Sequence, residues 1–372
     1  MMHSTLSQLP GWLTLLCFAF VSSILLALIS FHRKAKPSHT SHVKLEDDKE
    51  PRCYPAVETL HGFDWQETEP VKIRPFKPKY NLTMSIQDGS VNDFILMDRN
   101  YLNRVQLRKE IMTNNPEHVL AAETVAKSAV DEFYTWLLRV YLPTRYPRMF
   151  QLKSIKGRVL YLHNLPTNEH LPLTPPENPL DSLRILGGLV DEDFLFLLPS
   201  DDGDGYTLKA FVTCFPNGFD TLKKLNLKLR DIHKPVPHYK EKLEKSMDRY
   251  FDKIKVGKFM KRANWAIQPN DHLFKVAGNH LYEGDDLPEE KFDMNKMRLR
   301  VERQYLHRLP QSRALLFSFK TLLYTLPEIK SEGLAEDLVG AIDGLRQGNA
   351  PGFHLYKRAA VWGEFVKAYL RE

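Results

Sequence analysis

Apolar and polar positions change rhythm twice along the chain. From Gly11 to Phe31 the run GWLTLLCFAFVSSILLALISF holds 21 residues without a charge. At about 1.5 Å of helical rise per residue such a run reaches about 30 Å, the hydrocarbon thickness of a bilayer. The pattern predicts one transmembrane helix, residues 11–31, behind a short N-terminal segment, residues 1–10. A cleavable signal peptide fits less well: no Lys or Arg precedes the run, it is longer than the usual signal core, and no clear small-x-small site follows. Residues 32–70 are rich in Lys, Glu, Asp, His, Pro and Ser, including the stretch from Lys44 to Glu50, and show no sustained apolar period. They read as a flexible polar linker. Apolar positions return from residue 71 and run on to residue 372, which predicts a single folded body.

Inside the body the period decides the element. Pro116 to Leu142 places Val119, Val130, Phe133, Trp136 and Leu137 at helical spacing and predicts a helix. Gly157 to His163, Asp193 to Leu198 and Thr207 to Phe215 are short runs of β-branched, aromatic and leucine residues. The last two flank Ser200-Asp201-Asp202-Gly203-Asp204-Gly205, a turn-forming segment, and predict a hairpin. Lys261 to Gln268, Met297 to Arg303 and Ala314 to Leu322 read as further strands, the middle one alternating Leu299 and Val301 with Arg298, Arg300 and Glu302. Helices are expected over 239–254, 334–347 and 359–370. Strands in runs with helices before, between and after them imply an α+β body around an antiparallel sheet rather than a βαβ series.

Charge adds a direction to the predicted span. Arg33, Lys34 and Lys36 follow it, whereas residues 1–10 carry no positive side chain, so the positive-inside asymmetry places the body on the cytosolic side of a membrane, with the endoplasmic reticulum the expected one. In that topology the acceptor-like Asn81-Leu82-Thr83 is silent. Overall, 52 Lys and Arg against 46 Asp and Glu is a mild excess and no footprint for nucleic acid. Three scattered cysteines, Cys17, Cys53 and Cys214, form no disulfide framework and no zinc spacing, and fit a reducing compartment. No Gly-rich phosphate loop, His-Glu-x-x-His, Gly-x-Ser-x-Gly or Cys-x-x-Cys-His occurs, so nucleotide, zinc-hydrolase, α/β-hydrolase and covalent haem readings lack support.

One segment is more specific. Asp231-Ile232-His233-Lys234-Pro235-Val236-Pro237-His238-Tyr239 sets a histidine before two prolines. It is joined by Cys214-Phe215-Pro216-Asn217-Gly218-Phe219-Asp220, Arg262-Ala263-Asn264-Trp265 and Leu299-Arg300-Val301-Glu302-Arg303-Gln304. Together these blocks resemble the haem-dependent oxidative N-demethylase family, alpha-subunit type, over about 300 residues from near Ile73 to Trp362. The predicted anchor and the stretch Gly348 to Gly352 are similar to membrane-anchored fungal members, sometimes called HRQ family proteins. The resemblance implies a PAS-like sheet holding a noncovalent haem b. It implies a monooxygenase-type oxidative N-demethylation of a small amine with dioxygen, releasing formaldehyde, and electrons from a separate flavin and iron–sulfur reductase. Three scattered cysteines cannot supply the four thiolates an iron–sulfur cluster usually needs. A non-catalytic haem or small-ligand binding or sensing module is the alternative, because such a fold does not fix a function.

On that reading His233 is the expected axial ligand of the haem iron, with His238 its nearest competitor. Arg262, Arg300 and Arg303 are expected to bind haem carboxylates, since a guanidinium offers a planar fork. The bland alternatives are a helix-capping histidine and the solvent face of a strand. Asn264 and Trp265 are candidates for the pocket wall, Glu192 and Asp193 for holding an ammonium or relaying protons, and Tyr305 for contacting substrate. Each has an ordinary reading as core or hairpin end.

Overall fold

The longest alternating runs of the body become the middle of its sheet. The computed structural model describes residues 51–372 apart from Lys156, and the expected span 11–31 lies outside them. Ten strands are defined: β1 (Gln87–Gly89), β2 (Leu120–Ala122), β3 (Phe150–Ile155), β4 (Arg158–Asn164), β5 (Glu169–Pro172), β6 (Asp193–Pro199), β7 (Tyr206–Val212), β8 (Phe259–Gln268), β9 (Arg298–Arg308) and β10 (Leu315–Thr325). Seven of them form one sheet in the order β1-β8-β9-β10-β6-β7-β2, and β3-β4-β5 form a second, smaller one. Every strand pair is antiparallel. The α+β architecture with a large antiparallel sheet and flanking helices is therefore as expected. The β6–β7 hairpin turns at Ser200–Gly205, where Gly203 and Gly205 both have positive φ.

Helices α1 (Tyr101–Asn114), α2 (Lys127–Trp136) and α3 (Pro179–Leu189) cover one face of the sheet toward the β6 side. Helices α6 (Leu326–Ser331), α7 (Ala335–Gly344) and α8 (Ala359–Arg371) cover the same face toward the other strand ends. Local chemistry starts them. Asn178 accepts from the Leu180 amide at 3.0 Å ahead of Pro179, and Thr325 accepts from the Glu328 amide at 3.1 Å ahead of Pro327, each filling an otherwise orphaned donor of a first turn. Phe133, Phe194, Phe196, Tyr305 and Leu316 interlock under the first group. Leu299, Val301, Leu322 and Trp362 do so under the second. The opposite face carries Leu197, Leu208, Leu306 and Leu315, and is roofed by α4 (Leu229–His233) and α5 (Glu244–Asp252).

Three expectations change. The helix expected over 116–142 is interrupted: Leu120–Ala122 form β2, registered as Leu120 with Val212 and Ala121 with Phe211, and the helix resumes at Lys127. Strand pairing at a sheet edge satisfies those backbone groups better than a continued helix there. Strand β9 is not half-solvated. Its residues from Leu299 to Arg308 are all buried, because helices cover one face and the α4–α5 roof the other. Finally, the compact unit begins at Pro51, so residues 51–70 belong to it rather than to a linker. Tyr54 stacks on Trp136 with centroids 3.8 Å apart, and Val57, Leu60, Phe63 and Trp65 pack on the core. Among the described residues no helix is long and apolar enough to cross a membrane.

Candidate functional site

A cavity of about 320 Å³ lies between the roofed face of the sheet and α4–α5. Its floor follows from pleating, since alternate residues of each strand share a face. Met260 pairs with Leu306, Leu306 with Phe317 and Phe317 with Leu195, giving an apolar row across β8, β9, β10 and β6. One step along, Arg262 pairs with Gln304 and Gln304 with Phe319. The next step brings Asn264 opposite Glu302. Greasy floor thus passes into a polar end within one sheet face.

The roof presents His233. It is the last residue of α4; Lys234 still has helical backbone at φ −49° and ψ −38°, but Pro235 lacks the N–H that would continue the hydrogen-bond ladder. The His233 Nδ1 lies 2.8 Å from the Leu229 carbonyl, so Nδ1 is the protonated nitrogen and Nε2 keeps its lone pair. The ring stacks on Tyr239 at 5.1 Å and borders the cavity. Burial pushes its pKa down to about 4, against the backbone hydrogen bond, with Lys224 and Arg262 adding a smaller push the same way. At neutral pH it is an uncharged imidazole with one free donor pair, the form that ligates a metal.

Four cations border the same cavity, Lys224, Lys261, Arg262 and Lys357, of which Lys261 belongs to the alternate pleat of β8, opposite Tyr305. Arg262 has its Nε buried without a partner, and burial holds its pKa below the usual arginine range. Lys224 stands 3.7 Å over the Phe219 ring and is lowered to about 8 by burial, against the pull of Glu302. Lys357 donates to Asn264 Oδ1 at 3.0 Å and to the Trp265 carbonyl, and burial lowers it to about 7. The one carboxylate among them is Glu302. Its Oε2 accepts from Gln304 Nε2 at 2.8 Å, while its Oε1 is buried without a hydrogen-bond partner. Close backbone approach shapes the rim. A Cβ on Gly218, at φ +76°, would sit 2.5 Å from the Asn279 Cβ, and one on Gly348 would sit 1.2 Å from the Tyr80 carbonyl oxygen.

The structure brings His233 and Arg262 together and keeps Arg300 and Arg303 elsewhere. Arg300 is fully buried and donates to the carbonyls of Phe215 and Leu273 and to Gln268 Oε1, tying two loops to the sheet beside the cavity. Arg303 lies on the other face of β9, donates to the carbonyls of Asp93 and Phe94 and caps the Tyr305 ring at 4.3 Å. Their terminal guanidinium nitrogens are engaged by the protein itself, while the Arg300 Nε has no hydrogen-bond partner and lies 4.0 Å from Glu302 Oε1. His238 is exposed at φ +60°. Asp193 accepts from the Cys214 and Phe215 amides at 2.8 and 2.9 Å and pairs with buried Arg108 at 2.8 Å, which makes it a structural anchor. Glu192 is buried on the helix side, and burial raises its pKa to about 8. Asn264 and Trp265 do border the cavity.

Sequence reasoning passed over Lys224 and Lys357 and took Glu302 only as part of a strand pattern. A lone lysine carries no spacing signal. The usable clue for Glu302 was its place between Arg300 and Gln304 on one face of a strand. Neutral imidazole, apolar walls and cations with unmet donors suit a flat apolar ligand that carries a metal and anionic groups. A family model described as haem-dependent oxidative N-demethylase, alpha subunit-like, matches residues 85–367, well over half of the chain.

Proposed function

Because the chain belongs to the haem-dependent oxidative N-demethylase, alpha subunit-like family, we propose that its body holds a noncovalent haem b and catalyses the oxidative N-demethylation of a small amine. The observation that carries this reading is His233. Its Nδ1 is fixed on the Leu229 carbonyl at 2.8 Å, and its Nε2 is left for the iron, the arrangement usual for metal-bound histidine. When bound, the haem supplies the redox chemistry by which one atom of dioxygen ends in formaldehyde and the other in water, with two electrons from a separate flavin and iron–sulfur reductase.

The chain's own residues do the holding. Arg262 and Lys224, which border the cavity, would bind the haem carboxylates, whereas Arg300 and Arg303 do not border it and have their terminal nitrogens on protein carbonyls. The row Met260, Leu306, Phe317 and Leu195, which lines the cavity, would give a bound haem an apolar wall and keep water from the reacting methyl group. Tyr239 and the Leu229 carbonyl keep the His233 ring from turning. The roofed antiparallel sheet is read as PAS-like. Residues 11–31 are read as a single-pass anchor with the body on the cytosolic side of the endoplasmic reticulum membrane, a reading that rests on the apolar run and on Arg33, Lys34 and Lys36.

The test is spectroscopic and then chemical. Full-length protein reconstituted with haemin should show a Soret band and, with NADPH and a cell reductase fraction, release formaldehyde from an N-methylamine. A Soret band without formaldehyde from any N-methylamine supports a binding or sensing module instead. No Soret band at all overturns the haem reading.

A further inference from the structure

Charge around the cavity does not match a simple amine. Lys224, Lys261, Arg262 and Lys357 border it with one carboxylate, Glu302, and haem b brings two carboxylates of its own. Arg262, whose Nε is buried without a hydrogen-bond partner, and Lys224, which stands over the Phe219 ring, match those two groups, while Lys261 belongs to the alternate pleat of β8, opposite Tyr305. Lys357 and Glu302 remain at the polar end, one of each sign. Lys357 is held on Asn264 at 3.0 Å, and Asn264 sits directly opposite Glu302 in the β8–β9 ladder, so the two groups are neighbours at the polar end. Yet among the described residues no salt bridge joins them: Lys357 is turned to the Asn264 and Trp265 oxygens, and Glu302 Oε1 has no hydrogen-bond partner, its ion-pair partner Arg300 standing off at 4.0 Å.

Resting on the haem reading above, we propose that the substrate is a zwitterion, an N-methylated amino acid whose ammonium is bound by Glu302 and whose carboxylate is bound by Lys357. A plain alkylammonium would satisfy Glu302 while adding positive charge beside four cations, and a plain carboxylate would satisfy Lys357 while facing Glu302. A zwitterion meets both and leaves the net charge unchanged. The walls agree. The Lys357 Nζ already lies 5.7 Å from the Tyr80 ring and 5.3 Å from the Trp265 ring, and aromatic faces of this kind accept methylated ammonium groups. Burial lowers Lys357 toward about 7, so an incoming carboxylate is what holds its full charge.

Calorimetry on the haem-loaded full-length protein tests this with three probes of one shape: N,N-dimethylglycine, the cation N,N-dimethylisobutylamine and the anion 3-methylbutanoate. The zwitterion should bind at least about tenfold more tightly than either, the scale of one charge-assisted contact. Glu302→Gln should weaken the zwitterion and the cation and spare the anion. Lys357→Met should weaken the zwitterion and the anion and spare the cation, with the Soret band reporting that each variant is folded. If the wild-type protein carries its Soret band and binds N,N-dimethylisobutylamine as tightly as N,N-dimethylglycine, the inference is overturned and the haem reading stands. That ranking needs no variant. Absence of the band sinks the haem reading itself.

Discussion

His233→Ala separates a ligand role from a structural one, because the structure limits what the side chain does for the fold. It makes one hydrogen bond, Nδ1 to the Leu229 carbonyl at 2.8 Å, and one stacked contact, with Tyr239 at 5.1 Å. A net hydrogen bond contributes about 1 kcal/mol and a ring pair about 0.5–1.5 kcal/mol, so the haem-free protein should lose about 2 kcal/mol and a few degrees of Tm. Haem affinity should fall far more. Removing a group that merely orients a metal ligand costs about 10–100-fold, so removing the ligand itself should exceed about 100-fold. The assay is haemin titration at the Soret band in ferric and ferrous states, with denaturation of the haem-free protein run alongside. Free imidazole should refill the vacated position in the variant and partly restore the band. The control is His238→Asn rather than alanine, because residue 238 has φ +60°, a conformation asparagine tolerates; its spectrum should match wild type. Full haem occupancy with unchanged spectra in His233→Ala would refute the ligand assignment.

Other residues give independent tests. His307 is buried with both ring nitrogens unpartnered, and burial pushes its pKa down to about 3. The unfolded chain therefore binds the extra proton below about 6.5 and the folded chain does not, so this residue lowers stability as pH falls from 6.5 toward 3. His307→Leu should raise the unfolding free energy measured in urea by about 1–3 kcal/mol from the relieved polar atoms, and by more at pH 5 than at pH 7; a variant weakened at pH 5 contradicts this. Arg108 is fully buried, donates to the Gly187 and Glu192 carbonyls at 2.6 Å each and pairs with Asp193, so Arg108→Met should cost about 3–5 kcal/mol by stranding a buried carboxylate. A loss under about 1 kcal/mol would show that Asp193 is content with its two amides. Chains beginning at residue 51 and at residue 71 should differ sharply. The first keeps Tyr54, Val57, Leu60, Phe63 and Trp65 on the core and should melt cooperatively, whereas the second loses several partly buried apolar side chains, about 5 kcal/mol together. Equal melting of the two would mean that the strap contributes little.

Much of the sheet was legible because period-2 alternation survives as local information: the β6–β7 hairpin, β8, β9 and β10 were all visible from their own residues. What failed was non-local. Leu120–Ala122 look helical until Ala210–Val212 offer them a ladder, and residues 51–70 look like a tether until Trp136 offers Tyr54 a stacking surface. The arginines of β9 mislead for the same reason. An Arg on alternate strand positions normally faces water, but here the chain returns on both sides of the strand, and the donors of Arg300 and Arg303 are met by carbonyls of loops far away in sequence. The candidate site was legible at His233, where two prolines mark a stopped helix, and at Arg262, and illegible at Lys224 and Lys357.

The two faces of the sheet differ in how their covers reach them, and that difference explains where the cavity lies. On one face α1–α3 and α6–α8 set whole apolar sides against the strands, with Phe133, Leu183, Leu299 and Trp362 filling the gap. On the other, the cover between β7 and β8 is built from short helices punctuated by Pro235 and Pro237, with α4 spanning only Leu229–His233. Short helices joined by proline turns cannot lay a continuous apolar side on a twisted sheet. They arch over it and leave about 320 Å³ open. The same prolines that stop α4 bring His233 to its end, with its Nδ1 on the Leu229 carbonyl one turn back, so the break in packing and the presentation of the imidazole have one cause. Replacing Pro235 with alanine should therefore disturb haem binding more than stability, since it frees α4 to lengthen and swing the ring away while removing almost no buried surface. A Pro235→Ala protein with unchanged haemin affinity would separate the two effects and undo the argument.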